Sequence, residues 1–341
     1  MSVAVVNWNQ LHYVPESRGE RFGAERALLS QRFGAQLLRY DAVILPTGRA
    51  EGAYRFHLID EHVILVLGGE PHLRLGGAEY RLAAGDVVAL PPRSSSAFQL
   101  LNRFERPAHL LIARTRSRRD VIGLPDSNKR IYRVRGLGDA RDQREPPEII
   151  LQGDRLADYW DGEPADVPVG PAPPAPAQRD PRIAHVSDVE WEAFGRGPFR
   201  GQRRRLARRV GADHLGYSLY QLEPGQRPFP YHFHHVNEEF FYVRSGSGQV
   251  RTPAGLHELN PGDAFGCVPG PAGAHGIENT GDGPLEYFAL STMIEPEVVE
   301  YPDSEKAYVM VGSAPGGDPR ERSVDLVIRR EDAVAYEEGE R

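Results

Sequence analysis

A single internal repeat constrains the fold of this chain more than any other feature. The run Pro125-Asp126-Ser127 returns as Pro302-Asp303-Ser304, 177 positions further on (302 − 125 = 177). Other landmarks keep the same spacing, namely Gly48 and Gly225, Gly69 and Gly246, Gly85-Asp86 and Gly262-Asp263, Asn102 and Asn279, and Tyr159 and Tyr336. A solenoid repeat spans only about 20–45 residues. The spacing therefore predicts two copies of one domain.

A proline-rich stretch separates the two copies. Residues 164–181 read PADVPVGPAPPAPAQRDP, a composition that favours extended polyproline conformation and disfavours helix or central strand. We expect an N-terminal domain over 1–164, a semi-rigid linker over 165–181 and a C-terminal domain over 182–341.

Both copies are predicted to be all-β. The chain has 36 glycines and 29 prolines among 341 residues, which suits short strands separated by many turns. In the second copy, β-rich runs end at Gly/Pro turns, and we predict strands over 217–222, 240–243, 256–259, 264–268 and 285–290. Strands of this length and spacing indicate an antiparallel barrel or sandwich.

Charge and cysteine content exclude several classes of protein. The net charge of −7 disfavours a nucleic-acid partner, and the arginine-rich run from Arg200 to Arg209 is interpreted as a solvated or ion-paired face. The one cysteine, Cys267, cannot form an internal disulfide and is expected in the core. No run is long enough for a membrane span and the N-terminus does not resemble a signal peptide, so a cytoplasmic protein without a membrane partner is predicted.

The two copies differ mainly in histidine. In the second copy, His232 and His234 are two positions apart and share one face of a strand, Glu239 opens the next apolar run, and His275 lies on a later segment. Three imidazoles and one carboxylate can bind a first-row divalent cation and leave coordination positions open. We therefore predict a metal site in the second copy, against the alternative of ordinary core or surface histidines.

The matching positions of the first copy do not form such a set. They are Arg55, His57, His62 and Phe98. A guanidinium near a cation is unfavourable, and a phenyl ring offers no ligand, so no metal is expected there. His57 and His62 are interpreted as buried or pocket-lining residues. Arg55 is expected to pair with Glu61, or to receive a carboxylate from a ligand.

With these residues in view, the second copy resembles a cupin. The first cupin motif corresponds to Gly225, His232-Phe233-His234, Glu239 and Gly246. The second motif corresponds to Gly262, Pro269, Gly273, His275 and Asn279. Glu238 could replace Glu239 as the ligand, but Glu239 leaves six residues before Gly246, as the motif requires.

The resemblance extends over both copies and implies a bicupin. It implies two double-stranded β-helix barrels in tandem, with an intact C-terminal metal site and a degenerate N-terminal one. The first copy would then serve as scaffold and dimer surface, with a monomer as the alternative. Cupins include dioxygenases, oxalate-degrading enzymes, isomerases, storage proteins and ligand-binding domains, so the fold does not determine the function.

Several residues near the ligands are candidates for chemistry. Phe241 shares the face of Glu239 and is predicted to line the substrate pocket, or else to belong to the core. Glu238 is a candidate general base, with a surface carboxylate as the alternative. His235 alternates away from the ligands and is expected to support them or to lie at the surface.

Three functions remain open at this point. The first is a metal-dependent oxidation or cleavage of a small organic molecule that uses oxygen. The second is isomerase or lyase chemistry on a sugar-like or hydroxy-acid substrate, and the third is a non-catalytic protein that binds its ligand through the metal. The ligand set does not identify the metal, which could be iron, manganese, zinc or nickel.

Overall fold

The computed structural model describes residues 4–134 and 148–340, and it confirms the all-β prediction. The chain divides into two compact units. The N-terminal unit contains Gln10–Glu190 and Arg204–Leu215, and the C-terminal unit contains the chain up to Asn9, Trp191–Arg203 and the chain from Gly216 onward.

Three antiparallel sheets build the N-terminal unit. Seven strands form the order β16-β9-β6-β11-β4-β3-β2, three form β10-β7-β8, and five form β15-β14-β13-β12-β5. Their bounds are β2 Val14–Arg18, β3 Phe22–Ala27, β4 Leu38–Leu45, β5 Phe56–His57, β6 His62–Gly68, β7 His72–Leu75, β8 Ala78–Arg81, β9 Asp86–Leu90, β10 Phe98–Leu101, β11 Ala108–Thr115, β12 Arg119–Leu124, β13 Lys129–Val134, β14 Glu148–Gln152, β15 Arg155–Leu156 and β16 Ile183–His185.

The C-terminal unit repeats this arrangement. Its sheets have the orders β1-β24-β21-β26-β19-β18-β17, β23-β22-β25 and β20-β27-β28-β29. The bounds are β1 Val6–Asn7, β17 Glu192–Arg196, β18 Phe199–Arg205, β19 Leu215–Leu222, β20 Phe233–His234, β21 Glu239–Ser245, β22 Gly248–Thr252, β23 Gly255–Leu259, β24 Asp263–Cys267, β25 Gly276–Glu278, β26 Leu285–Thr292, β27 Glu297–Tyr301, β28 Lys306–Val311 and β29 Val324–Arg329.

Helices are short in the described residues. The α-helices α1 (Leu29–Phe33) and α2 (Leu206–Val210) each end at a glycine in the left-handed conformation, Gly34 and Gly211. Single 3-10 turns cover Trp8–Gln10, Ser94–Ser96, Pro125–Ser127, Val186–Asp188, Pro271–Gly273, Pro302–Ser304, Pro319–Glu321 and Arg330–Asp332. No helix in the described part of the chain is long and apolar enough to span a membrane.

Each unit has its own hydrophobic core between its sheets. Inward-facing aliphatic residues of alternating strand positions, such as Ile64, Val66 and Leu110, form the core of the N-terminal unit. In the C-terminal unit the core is richer in aromatic residues and includes Phe241, Phe265 and Tyr287. The candidate metal ligands border this second core.

The repeated Pro-Asp-Ser turn has the same function in both units. Asp126 accepts two hydrogen bonds from Arg74, at 2.5 and 2.9 Å, and Asp303 accepts two from Arg251 at the same distances. Each guanidinium also stacks on a tyrosine, 3.7 Å from the Tyr54 ring and 3.9 Å from the Tyr231 ring. In each unit, the aspartate of the Pro-Asp-Ser motif thus forms a bidentate ion pair with an arginine of the same unit.

The compact units differ from simple halves of the chain in their leading strands. β1, at the start of the first copy, pairs with β24 of the C-terminal unit, with Val6 opposite Ala264. β16, at the start of the second copy, pairs with β9 of the N-terminal unit, with Ile183 opposite Val88. Main-chain pairing of these short strands with an otherwise open sheet edge accounts for the difference from the predicted bounds.

Candidate metal centre

His232 and His275 are brought together by the backbone. The N–H of His232 donates to the carbonyl of His275 at 3.0 Å, and the N–H of His275 donates back at 2.9 Å. This isolated bridge links the residue before β20 to the residue before β25. It sets the two imidazole rings 4.6 Å apart, centroid to centroid.

A fixed acceptor lies beside the Nδ1 atom of each predicted histidine ligand. Nδ1 of His232 lies 2.8 Å from the carbonyl oxygen of Pro230, and Nδ1 of His275 lies 3.1 Å from that of Gly273. Nδ1 of His234 lies 3.3 Å from Oε2 of Glu297. Because carbonyl and carboxylate oxygens only accept, Nδ1 of each ring is the donor and Nε2 of the neutral ring keeps its lone pair. Metal-binding histidines are oriented in this way.

Glu239, the first residue of β21, completes the cluster. Its Oε2 lies 3.3 Å from Nε2 of His234 and 3.2 Å from Nε2 of His275. Ligand atoms of His232, His234 and Glu239 all lie within 4.8 Å of one another. Oε2 of Glu239 is buried and has no hydrogen-bond partner among the described residues. These three side chains could share one divalent cation. His275, the fourth predicted ligand, lies outside that group of three and adjoins it through its 3.2 Å contact with Oε2 of Glu239.

Burial and neighbouring charges shift the pKa values of the cluster residues in different directions. Burial lowers the pKa of His232 to about 3, reinforced by His275 and His234. For His234, burial is outweighed by the carboxylates of Glu239 and Glu297, which raise its pKa to about 10. Burial disfavours the Glu239 anion, but His234 above all holds the pKa of Glu239 well below its ordinary value. Strongly shifted pKa values that depend on neighbouring side chains are typical of functional sites.

Glu297, which the sequence motifs do not indicate, supports the cluster from behind. Its fully buried carboxylate accepts from the backbone N–H groups of His235, Val236, Asn237 and Val298, at 2.8–3.1 Å, besides its contact with His234. It lies 58 positions after Glu239 in the sequence (297 − 239 = 58), beyond both cupin motifs. The only signal for it is the repeat, which places Glu297 opposite Asp120, the carboxylate that holds His57.

Gly273 has a steric reason to be glycine. A Cβ atom at this position would lie 1.9 Å from the carbonyl oxygen of Val268. The 3-10 turn Pro271–Gly273 can therefore close tightly enough for the Gly273 carbonyl to meet Nδ1 of His275.

Phe241 lies where it can serve as core residue and as site wall. It is 5% exposed, stacks on Phe265 at 4.7 Å and meets the His275 ring at 5.1 Å. Tyr301 lies on another side of the cluster, 6.0 Å from the His232 ring. The candidate centre is thus bordered by aromatic rings, and Phe241 belongs to the hydrophobic core of this unit, so its role as a wall of the substrate pocket stays a prediction.

Glu238 does not join the ligand cluster. Strand alternation directs its side chain away from that of Glu239, and it is 1% exposed. Its backbone exchanges two hydrogen bonds with Thr292, both at 3.0 Å. Its repeat counterpart, Glu61, accepts three backbone N–H bonds at 2.8–2.9 Å from residues 213–215. This environment favours a structural role for Glu238 and gives no support to the general-base prediction.

Two further residues lie as the sequence indicated. Cys267 is buried, opposite Glu239 in the β21–β24 ladder, and burial raises its thiol pKa well above the ordinary value. His235 points away from the cluster, half-exposed, with Nε2 2.7 Å from Glu300. Neither has the environment of a nucleophile.

The corresponding positions of the N-terminal unit contain different chemistry. Arg55 donates to Glu51 at 2.8 Å and stacks 4.6 Å above the Phe98 ring. The expected pairing with Glu61 is wrong, because the Glu61 carboxylate is taken by backbone donors. His57 and His62 are buried with ring centroids 4.2 Å apart, as expected.

A second group in the N-terminal unit, His57, Asp60 and Asp120, is close enough to suggest a metal. Asp60 already accepts from Arg114 at 2.8 Å, from Thr115 and from the Ser117 N–H. Asp120 accepts from the Ile59 N–H at 3.1 Å and lies 2.5 Å from Nδ1 of His57. These carboxylates are occupied by donors, in contrast to the orphaned oxygen of Glu239.

The arginine-rich run is distributed over the fold. Arg203 lies 4.0 Å from Glu192, and Arg204 donates to the carbonyl of Val186. Arg208 and Arg209 lie in the last turn of α2, where cations are stabilised by the helix dipole. These contacts agree with the solvated or paired face that was predicted.

Comparison with known proteins agrees with this geometry. A family model described as a cupin domain matches residues 218–291, which contain all four candidate ligands. No curated protein matches the chain significantly.

Among solved structures, a Pseudomonas aeruginosa protein assigned as glyoxylate-induced is 13% identical, with 85% of this chain and 88% of that chain covered and a TM-score of 0.53. An Acidithiobacillus ferrooxidans protein assigned as a sugar phosphate isomerase is 27% identical over 44% of this chain and 91% of its own, with a TM-score of 0.39. Lactobacillus farciminis oxalate decarboxylase is 14% identical, with 86% of each chain covered and a TM-score of 0.49.

The domain match in the second copy and the fold shared across both copies lead to one conclusion. The C-terminal unit contains a cupin domain, and the chain as a whole has the fold of a bicupin.

Proposed function

We propose that the C-terminal unit is a metal-dependent active site for a small organic molecule, and that its reaction is an oxidation or oxidative cleavage. The observation that carries this proposal is the paired arrangement of the ligand atoms. Three Nδ1 atoms are anchored on fixed acceptors, while the orphaned Oε2 of Glu239 lies among the opposite Nε2 atoms.

His232, His234, Glu239 and His275 would hold the cation. A bound iron or manganese ion would supply Lewis acidity and redox capacity toward dioxygen, whereas zinc would supply Lewis acidity alone. The four side chains contribute one negative charge, so a divalent cation in the site stays net positive. Such a centre favours a substrate with a carboxylate, carbonyl or enolate oxygen.

The aromatic wall supports a reaction that must exclude water. Phe241 and Phe265 stack beside the His275 ring, and Tyr287 packs on Phe241 at 6.2 Å. We assign Phe241 to the substrate-facing wall, where an apolar ring limits access of water to the open side of the centre.

Glu238 is assigned a positioning role rather than proton transfer. Its buried side chain occupies the position at which the Glu61 carboxylate accepts backbone N–H groups in the N-terminal unit, and we infer that it holds the backbone next to Glu239 in the same way. The substitution Glu238→Gln tests this assignment. We expect lower thermal stability with unchanged metal content, whereas a lost acid or base limb in the pH–rate profile would restore Glu238 as the general base.

Elemental analysis combined with oxygen uptake tests the proposed reaction. The full-length protein, purified without a metal-affinity tag, is assayed for bound metal and for oxygen consumption with a panel of small hydroxy, keto and aromatic acids. We expect iron or manganese and substrate-dependent oxygen uptake, both lost in His275→Phe.

The alternatives give different results in the same experiment. Bound zinc with isomerisation or elimination and no oxygen uptake would overturn the oxidation and favour the isomerase or lyase function. Saturable ligand binding without turnover across the panel would indicate a binding protein. Absence of any metal after reconstitution would overturn the proposal altogether.

A further inference from the structure

The chain contains only two lysines, and they occupy the same position in the two copies. Lys129 and Lys306 are 177 positions apart (306 − 129 = 177), whereas the other 39 basic residues are arginines (41 − 2 = 39). The ammonium group of lysine is compact and can donate in three directions, while the guanidinium of arginine is a planar fork. The two exceptions indicate that this position uses an ammonium group in both units.

In the N-terminal unit this ammonium group holds a segment that follows β15. Lys129 is fully buried, and its Nζ donates to three backbone carbonyl oxygens within residues 158–161, at 2.6 Å for that of Asp161. The carboxylate of Glu163 lies 3.3 Å from the same Nζ, and this side chain is 1% exposed. Residues 157–163, here called the N-terminal strap, are therefore fixed to the unit by Lys129.

The N-terminal strap forms part of the wall of an interior cavity. Tyr159 packs, partly buried, against a hydrophobic cluster that includes Leu124. Tyr159 and Trp160 line the cavity together with His57, one of the residues at the degenerate metal site. Trp160 also packs on Phe22, with ring centroids 4.9 Å apart. The strap thus closes against the interior of its own unit.

The corresponding segment of the C-terminal unit is open. All of residues 334–340, here called the C-terminal strap, are exposed, and Tyr336, the counterpart of Tyr159, is 93% exposed. Lys306 is half-buried, with its Nζ 5.9 Å from the centroid of the Tyr301 ring. Among the described residues, no carbonyl or carboxylate oxygen accepts from this Nζ. The lysine and the strap are thus apart in this arrangement.

The surface that a closed C-terminal strap would cover is apolar. All six residues of β29 are exposed, and Val327 is 53% exposed, whereas its counterpart Ile150 is partly buried against the N-terminal cluster. β29 is also the last strand of its sheet, while β14 in the N-terminal unit is paired by β15. An exposed apolar edge strand is a place where a further segment pairs. The repeat identifies that segment as the chain that follows β29.

The composition of the C-terminal strap complements this surface. It reads VAYEEGE, with Tyr336 and Glu340 at the positions of the tyrosine and glutamate that close the N-terminal strap. Its three carboxylates match the ammonium group of Lys306 in charge. One anchor is missing, because Glu337 occupies the position of Trp160. The C-terminal strap therefore lacks the aromatic contact that fixes its N-terminal counterpart, and it can detach.

We propose that the C-terminal strap closes reversibly over the C-terminal unit. In the closed arrangement Nζ of Lys306 donates to carbonyl oxygens of the strap and pairs with Glu340, and Tyr336 packs beside Tyr301. Because the Tyr301 ring lies 6.0 Å from the His232 ring, closure covers one side of the candidate metal centre, and opening admits a substrate. Only this effect on the metal centre rests on the proposed function, whereas the docking of the strap does not.

Acetylation of the full chain with an N-hydroxysuccinimide ester measures the docking. Digestion and mass spectrometry follow the two lysines separately. We expect Lys306 to react roughly tenfold faster in Tyr336→Ala and in Glu340→Gln than in the wild type, since each variant loses a contact of the closed strap. Equal reaction rates of Lys306 in the wild type and in both variants would overturn the proposal.

Two controls separate docking from folding. Lys129 is the internal control, and its slow acetylation in every variant shows that the protein is folded. Glu331→Gln removes an exposed carboxylate that pairs with Arg329 outside the strap, and it is expected to leave the reaction rate of Lys306 unchanged. An increase in Glu331→Gln as large as that in Glu340→Gln would assign the protection of Lys306 to general charge and contradict the strap.

A carbodiimide cross-link between Lys306 and Glu340 shows which strap is docked. This reagent joins an amine to a carboxylate in contact with it, and it is applied to a mixture of unlabelled and ¹⁵N-labelled chains. We expect cross-linked peptides in which both halves carry the same label. Peptides that combine a labelled and an unlabelled half would show exchange of straps between two copies, and would overturn closure within one unit.

Release of manganese tests whether closure covers the metal centre. Protein loaded with Mn²⁺ is mixed with excess EDTA, and we expect Tyr336→Ala to lose Mn²⁺ roughly tenfold faster than the wild type and Glu331→Gln, because its strap is mostly open. Equal release rates, with Lys306 protected in the wild type, would overturn the covering of the centre. If none of the proteins binds Mn²⁺, the proposed function fails, while the acetylation rates still decide the docking of the strap.

Discussion

The two units share their sheet arrangement, apart from the additional strand β15 of the N-terminal unit, and they differ in their interiors. At the four positions where the C-terminal unit has His232, His234, Glu239 and His275, the N-terminal unit has Arg55, His57, His62 and Phe98. The supporting carboxylate is kept in both, as Glu297 and as Asp120. The difference teaches that the sheets provide the same backbone frame in both units, while a few side chains decide whether the interior offers ligand atoms to a cation.

The largest expected effect is on metal binding. His275→Phe converts one C-terminal position to its N-terminal counterpart and removes one nitrogen ligand. We expect the metal affinity to fall by more than about a hundredfold, because loss of a hydrogen-bond partner of a ligand alone lowers it about 10–100-fold. Elemental analysis after dialysis measures this, with His57→Phe as the matched control. Full metal retention in His275→Phe would remove the distinction between the two interiors.

The next effect concerns stability of the N-terminal unit. Glu51→Gln leaves Arg26 and Arg55 without their shared carboxylate, which is 3% exposed. Breaking a buried ion pair destabilises by about 3–5 kcal/mol, and urea unfolding at neutral pH measures the loss.

The pH dependence of this loss has a defined sign. Burial disfavours the Glu51 anion, but Arg55 and Arg26 outweigh it and hold the pKa of Glu51 well below its ordinary value. Stability from such a group is present above the unfolded pKa, about 4.3, and is lost as the pH falls toward the folded pKa. The gap between wild type and Glu51→Gln is expected to narrow below about pH 4. A gap that widens on acidification would contradict this account of Glu51.

A smaller effect tests the supporting carboxylates. Glu297→Gln weakens the hold on Nδ1 of His234, and removal of such a partner lowers metal affinity about 10–100-fold. Asp120→Asn is the matched substitution in the N-terminal unit and is expected to leave metal affinity unchanged. Competition with a chelator measures both, and equal affinities for Glu297→Gln and wild type would show that the support is dispensable.

The smallest expected effects are losses of stability, and they should be equal in the two units. Arg74→Met and Arg251→Met each remove a bidentate contact to the repeated aspartate and a stack on tyrosine. Partly exposed pairs of this kind contribute no more than about 1 kcal/mol. Thermal unfolding compares them, and a large loss in one unit only would mean that the shared motif has diverged in function.

The sequence was sufficient to predict the β architecture, and three of the four predicted ligands, His232, His234 and Glu239, lie together in the structure. Short strands between Gly/Pro turns, and a repeat with one constant spacing, predict strand positions without any knowledge of packing. His232 and His234 are two positions apart, so alternation places them on one face, and Glu239 follows shortly afterwards at the start of β21, a strand of another sheet. Spacing to Gly246 also favoured Glu239 over Glu238, and Glu239 is the residue that the structure places in the cluster.

Other features depend on contacts between distant segments. Glu297 meets His234 only because β20 pairs with β27, with His234 opposite Val299. Glu51 rather than Glu61 meets Arg55, since Glu61 turns to backbone donors more than 150 positions away. The cavity of the N-terminal unit, which is lined by Arg26, Asp41 and Arg114 among others, likewise arises from several strands together, so no local pattern indicates it.

The stoichiometry of bound metal tests the central claim most directly. The account predicts one divalent transition metal ion per chain in the wild-type protein, loss of that ion in Glu239→Gln, and retention in His62→Gln at the matching N-terminal position. Two ions per chain, or an ion lost in His62→Gln and kept in Glu239→Gln, would contradict the division of the molecule into a metal-binding and a metal-free unit.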